Sequence, residues 1–64
     1  MSRELYSLSC ELKHDTDKAQ QVVVLETGEL MWIPFSQIER IDKYPDGTAT
    51  VHMTAWIAKQ KGLI

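Results

Sequence analysis

Apolar and polar side chains alternate from about Glu4 to His14, with Tyr6, Leu8, Cys10 and Leu12 set between Ser7, Ser9, Glu11 and Lys13. A period of two predicts a strand with one buried face. Asp15-Thr16-Asp17-Lys18 interrupts the pattern with side chains that favour turns. The run from Gln20 to Leu25 is β-branched and nearly continuous, which predicts a central strand covered on both faces. Thr27-Gly28 supplies the next turn, and Leu30 to Ile33 resumes an extended apolar stretch. Two extended runs so close together predict a hairpin.

Pro34 ends that stretch because it has no N–H to give to a ladder. Phe35-Ser36-Gln37-Ile38 predicts a single helical or 3₁₀ turn with Phe35 and Ile38 turned inward. Ser36 is placed to cap it and Gln37 to satisfy a neighbouring backbone group. Glu39 to Asp42 predicts a short strand with Ile41 inward, and Tyr44-Pro45-Asp46-Gly47 fits a type I turn. Thr48 to Met53 alternates again. A short helix follows over about 54–61, with Thr54 as N-cap, Lys59 and Lys61 in its last turn and Gly62 as its stop. Met53, Trp56, Ile57, Gln60 and Ile64 recur at helical spacing as the stripe that would cover the sheet. Trp32 and Trp56 are large enough to anchor one small core together. The expected fold is α+β and mainly β: a four- or five-strand antiparallel meander or small open barrel, packed by one short C-terminal helix. Residues 1–64 form one domain.

Length sharpens this picture. Sixty-four residues, 44% hydrophobic and 25% charged, fold as one unit that buries only roughly 60% of its unfolded surface. Two-domain enzymes and deep catalytic clefts are excluded. Net charge is −2, and Arg3, Lys13, Lys18, Arg40, Lys43, Lys59 and Lys61 are scattered, which disfavours a dedicated duplex-DNA binder. The carboxylates are too dispersed for a DNA mimic. With Cys10 alone, no internal disulfide forms, and the thiol reads as reduced and half-buried. The opening Met1-Ser2-Arg3-Glu4 lacks a signal-peptide core, and no apolar run reaches the roughly 20 residues of a membrane helix. The expected compartment is the cytoplasm.

Trp32-Ile33-Pro34-Phe35-Ser36-Gln37-Ile38-Glu39, followed by Val51 to Leu63, resembles small uncharacterised proteins of bacteriophages and prophages. Those read W-[IL]-P-x-S-Q-[IV]-E and then M-P-x-W-L-A-x-x-K-G-L. Thr54 stands where that pattern has proline, and both residues suit a helix start. Phe35 replaces a frequent Lys. The resemblance covers about the C-terminal half and implies a phage setting inside a bacterial host and a shared fold, without a mechanism.

Catalytic and metal chemistry find little support. Cys10, His14 and His52 are too few for structural zinc, and Cys10 and His14 lie about 13 Å apart on a strand at a rise near 3.3 Å per residue. Cys10 lies on the apolar face, where a thiol is inert. Ser36 has no adjacent base, Asp15 and Asp17 occupy an open turn, and the three glycines stand alone at 28, 47 and 62. No enzyme activity, cofactor or metal is expected.

Binding remains. The favoured partner is a protein, met by an exposed edge strand or by an apolar patch, with Met31, Phe35, Trp56 and Leu63 as contact residues and Leu5 beside them. The same patch could join copies of the chain. The phage resemblance adds a host-directed inhibitor that blocks a host enzyme or sequesters a signalling molecule. The alternative is single-stranded nucleic acid, with Tyr6, Trp32 and Tyr44 stacking on bases while Arg40, Lys43 and Lys13 meet phosphates.

Overall fold

The computed structural model describes residues 4–64, so Arg3 and the opening Met1-Ser2-Arg3 lie outside it. Five strands and a helix follow in order: β1 (Leu5–Asp15), β2 (Ala19–Val24), β3 (Leu30–Pro34), a 3₁₀ turn (Phe35–Gln37), β4 (Ile38–Lys43), β5 (Thr48–Thr54) and α1 (Ala55–Gln60). They form one antiparallel sheet in the order β3-β2-β1-β5-β4. A consecutive meander is therefore broken between β3 and β4. The sheet is open, with β3 and β4 as its edges, rather than closed as a barrel.

The cause is the length of β1. Its 11 residues serve two partners: Leu5 to Glu11 pair with Thr54 to Thr48 of β5, while Cys10 to Asp15 pair with β2. β1 is thus the central strand, in place of the Gln20–Leu25 run. In β2 burial alternates, Gln20, Val22 and Val24 being buried and Ala19, Gln21 and Val23 half-buried. Leu25, just beyond, is 48% exposed.

The inner face carries the core: Leu8 and Cys10 of β1, Val22 and Val24 of β2, Ile33 of β3, Val51 and Met53 of β5, and Ile57 and Ala58 of α1. Tyr6, Leu12, Met31, Ile38, Ile41 and Leu63 pack around its margin. Cys10 is fully buried rather than half-buried, and burial pushes its thiol pKa up, which keeps it protonated and unreactive.

Turn chemistry follows the local sequence. Thr16 Oγ1 accepts from the N–H groups of Lys18 and Ala19 and so closes the β1–β2 hairpin. Asp46 Oδ1 accepts from both the N–H and the hydroxyl of Thr48, and Gly47 takes the positive φ of 91° after it. Ser36 makes no cap for the 3₁₀ turn. Gln37 meets a side chain instead of backbone: its Oε1 accepts from the Thr54 hydroxyl at 2.7 Å.

Thr54 caps α1 by accepting from Ile57 N–H. At the other end Leu63 N–H reaches Ala58 C=O and Gly62 N–H reaches Lys59 C=O, with Gly62 at φ 75°. These two bonds satisfy the last carbonyls and turn Leu63 back onto the core. The packed stripe is Thr54, Ile57 and Ala58, not the one expected around Trp56. Ala58 is small enough to let the helix backbone approach the sheet, and this rotation leaves Trp56 61% and Ile64 60% exposed. Trp32 is 40% exposed on the other face, so neither tryptophan anchors the core.

Candidate functional site

The outer face of the sheet holds the polar cluster. Ser7 of β1 sits opposite His52 of β5, and His52 opposite Arg40 of β4. An irregularity between Ile38 and Arg40 sets this register. The extra residue there puts Arg40, rather than Glu39, across from His52, the usual effect of a bulge in re-aiming a side chain.

Ser7 Oγ lies 3.0 Å from His52 Nδ1, and His52 Nε2 lies 2.9 Å from Asp42 Oδ2. An ionised carboxylate only accepts hydrogen bonds, so Nε2 carries the proton. In the neutral ring Nδ1 is then an acceptor, and the Ser7 hydroxyl donates to it. Arg40 grips Asp42 from the side, Nη2 donating to Oδ2 and Nε lying against Oδ1, both at 3.2 Å. The His52 side chain is 19% exposed and that of Asp42 39%. Beside them a groove of about 280 Å³ is lined by Leu5, Glu39, Arg40 and His52.

The His52 hydrogen bond, with help from Arg40, holds the Asp42 carboxyl below its ordinary 3.8. A carboxylate with a depressed folded-state pKa adds stability above its unfolded pKa, and that stability is lost as pH falls through the folded value. Urea titrations between pH 3 and 6 are therefore expected to show wild type losing stability faster on the acid side than Asp42→Asn. Parallel curves would disconnect Asp42 from this network.

A second feature of the outer face is apolar. Leu30 of β3 is 58% exposed and lies opposite Val23, and Trp32 lies opposite Gln21, with Leu25 nearby at the end of β2. Hydrogen bonds from Val24 N–H to Glu29 C=O and from Phe35 N–H to Lys18 C=O fix the phase of the β2–β3 ladder. Antiparallel bonds alternate, so Leu30 and Trp32 turn their own N–H and C=O groups to the outer edge. Pro34 ends the edge without an N–H.

The residues expected as contacts are dispersed. Met31 and Leu63 are half-buried against the core, Phe35 is half-buried in the 3₁₀ turn, and Trp56 is exposed on α1. Leu5, 49% exposed, lines the groove. For the alternative set, Tyr6 faces the core, Trp32 lies on the β3 edge, and Arg40, Lys43 and Tyr44 lie on or next to β4 at the opposite edge. Arg40 is engaged by Asp42, Tyr44 Oη by Thr50 Oγ1 at 3.0 Å, and Lys13 by Glu11 at 3.2 Å. Cys10 faces inward while His52 faces outward, so they share no site.

Sequence reasoning weighed His52 only as a zinc ligand and missed its partners Ser7 and Asp42, because pairing across 45 residues needs the β1–β5 register. It also passed over Leu25 and Leu30, although Leu30 to Ile33 is apolar in both phases, a signal that the outward phase is apolar too. Among the described residues no helix is long and apolar enough to cross a membrane. No protein-family model matches the chain, nor does any curated protein or solved structure, so its function is read from these residues.

Proposed function

We propose that the chain is a small binding module that takes an extended segment of another protein along the edge of β3. One observation carries this reading: the edge offers outward N–H and C=O groups at Leu30 and Trp32 flanked by their own exposed apolar side chains. An added strand gains main-chain hydrogen bonds, and its alternate side chains meet Leu30, Trp32 and Leu25. Unprotected edges of this kind are otherwise blunted by charges or bulges, and the outward positions 30 and 32 carry neither. A second copy of the chain is the competing occupant, because an edge strand complements itself about a two-fold axis.

The phage setting, the host cytoplasm and a role as a host-directed inhibitor belong to the same proposal. They are supported by the resemblance at residues 32–39 and 51–63. Nucleic acid is the weaker reading, since Trp32 and the cations of β4 stand at opposite edges of the sheet.

Leu30→Lys combined with Trp32→Lys is expected to weaken capture of the bacterial partner roughly 30-fold, the size of a 2 kcal/mol hot spot. Trp56→Ala should leave capture unchanged. Equal capture by the double variant overturns the reading. So does a salt-dependent shift of single-stranded oligonucleotides that Arg40→Glu with Lys43→Glu abolishes. Light scattering of the unbound chain separates a foreign partner from a second copy.

A further inference from the structure

The hydrogen-bonded row from Ser7 through His52 to Asp42 uses the three side-chain types of a charge-oriented nucleophile, and its middle member, His52, lines a groove. We propose that Ser7 is a reactive hydroxyl, activated by His52 and oriented through Asp42, which takes an acyl group from a small ester seated in that groove. The site lies on β1, β4 and β5, and its test is independent of the β3 edge.

Three observations carry this. Ser7 Oγ and His52 Nδ1 are 3.0 Å apart, within reach for direct proton transfer. Asp42 at 2.9 Å holds the opposite nitrogen, which fixes the ring and leaves the basic lone pair facing Ser7. The groove is bounded by Leu5, Glu39, Arg40 and His52, so an apolar side chain and a guanidinium stand beside the base. Arg40 meets both carboxylate oxygens of Asp42 at 3.2 Å, which holds that carboxylate in place against the ring.

The chemistry balances without a cofactor. Ser7 Oγ attacks the ester carbonyl carbon, an O–C bond forms, and the hydroxyl proton passes to His52 Nδ1. The ester C–O bond then breaks, and the leaving alkoxide takes its electron pair and the proton from Nδ1. Water repeats the sequence in reverse: it gives a proton to Nδ1 and forms the new C–O bond. The carboxylic acid leaves, and Ser7 recovers its proton. His52 is the base, and Asp42 is a positioning residue.

A fluorophosphonate probe tests this on the full chain. The Ser7 Oγ–P bond forms as fluoride leaves, and the hydroxyl proton departs by way of His52. Mass spectrometry of the labelled peptides is expected to find Ser7 modified at least tenfold faster than Ser9 and Ser36, which serve as internal references. Ser7→Ala and His52→Gln should abolish the excess. Asp42→Asn should lower the limiting rate about tenfold while leaving the half-saturating probe concentration unchanged, a split that a purely structural role does not produce. Absence of labelling, or equal labelling of the three serines, overturns the proposal with wild type alone. Undiminished labelling of Ser7 in a folded His52→Gln variant overturns it as well.

Discussion

Ile33→Ala is expected to bring the domain to the edge of unfolding at room temperature. Ile33 is fully buried and is one of the largest such side chains in the molecule. Truncating an isoleucine in a packed core costs about 2–5 kcal/mol in lost transfer energy plus the cavity left behind. A chain of 64 residues holds only about 3–10 kcal/mol in total, at roughly 0.05–0.15 kcal/mol per residue. Position adds to size. β3 is an edge strand bonded only to β2, and Ile33 is its single fully buried side chain. Its loss should therefore release β3 before the rest of the sheet, seen as early amide exchange at Leu30 to Pro34.

Urea unfolding followed by far-ultraviolet circular dichroism is the right measurement. Tryptophan emission is a poor one, because Trp32 and Trp56 are already exposed in the folded state. Ile64→Ala is the control, expected to change stability by less than about 0.5 kcal/mol because Ile64 is 60% exposed. An Ile33→Ala midpoint close to wild type would mean that Ile33 contributes little to the core.

The elements were legible where the physics is local. The alternation at Tyr6 to Leu12, the turn at Tyr44 to Gly47 and the cap and stop of α1 at Thr54 and Gly62 all depend on neighbours within a few residues. The order of the strands was not. Nothing local says that β1 divides its length between β5 and β2, and without that division the row Ser7–His52–Arg40 does not exist. The same gap misplaced the tryptophans. Helical spacing groups Trp56 with Ile57, but the side facing the sheet is set by Ala58, whose small size permits close approach. Size suggested burial for Trp32, whereas the register of β3 gives the inner face to Met31 and Ile33.

Position 54 shows how a single hydroxyl can join two elements that sequence reading treats separately. Thr54 and proline look interchangeable at a helix start, and the Thr54 backbone, at φ −65°, suits either. The side chain separates them. Thr54 is 6% exposed, accepts from Ile57 N–H at 3.3 Å, and donates to Gln37 Oε1 at 2.7 Å. The hydroxyl thus ties α1 to the 3₁₀ turn between β3 and β4, the two edge strands. Thr54→Val keeps the shape and removes both bonds. Loss of the cap costs about 1 kcal/mol, and a half-buried amide oxygen left without its donor costs about 1–3 kcal/mol. A combined loss of roughly 2 kcal/mol corresponds to a fall of about 8–16 °C in Tm for a domain of this size. A double-mutant cycle with Gln37→Met isolates the bond: the pair should cost less than the sum of the singles, since the second change removes the acceptor that the first left unsatisfied. Strict additivity would show that the 2.7 Å contact contributes no coupling. In that case the cap alone would account for the Thr54 hydroxyl.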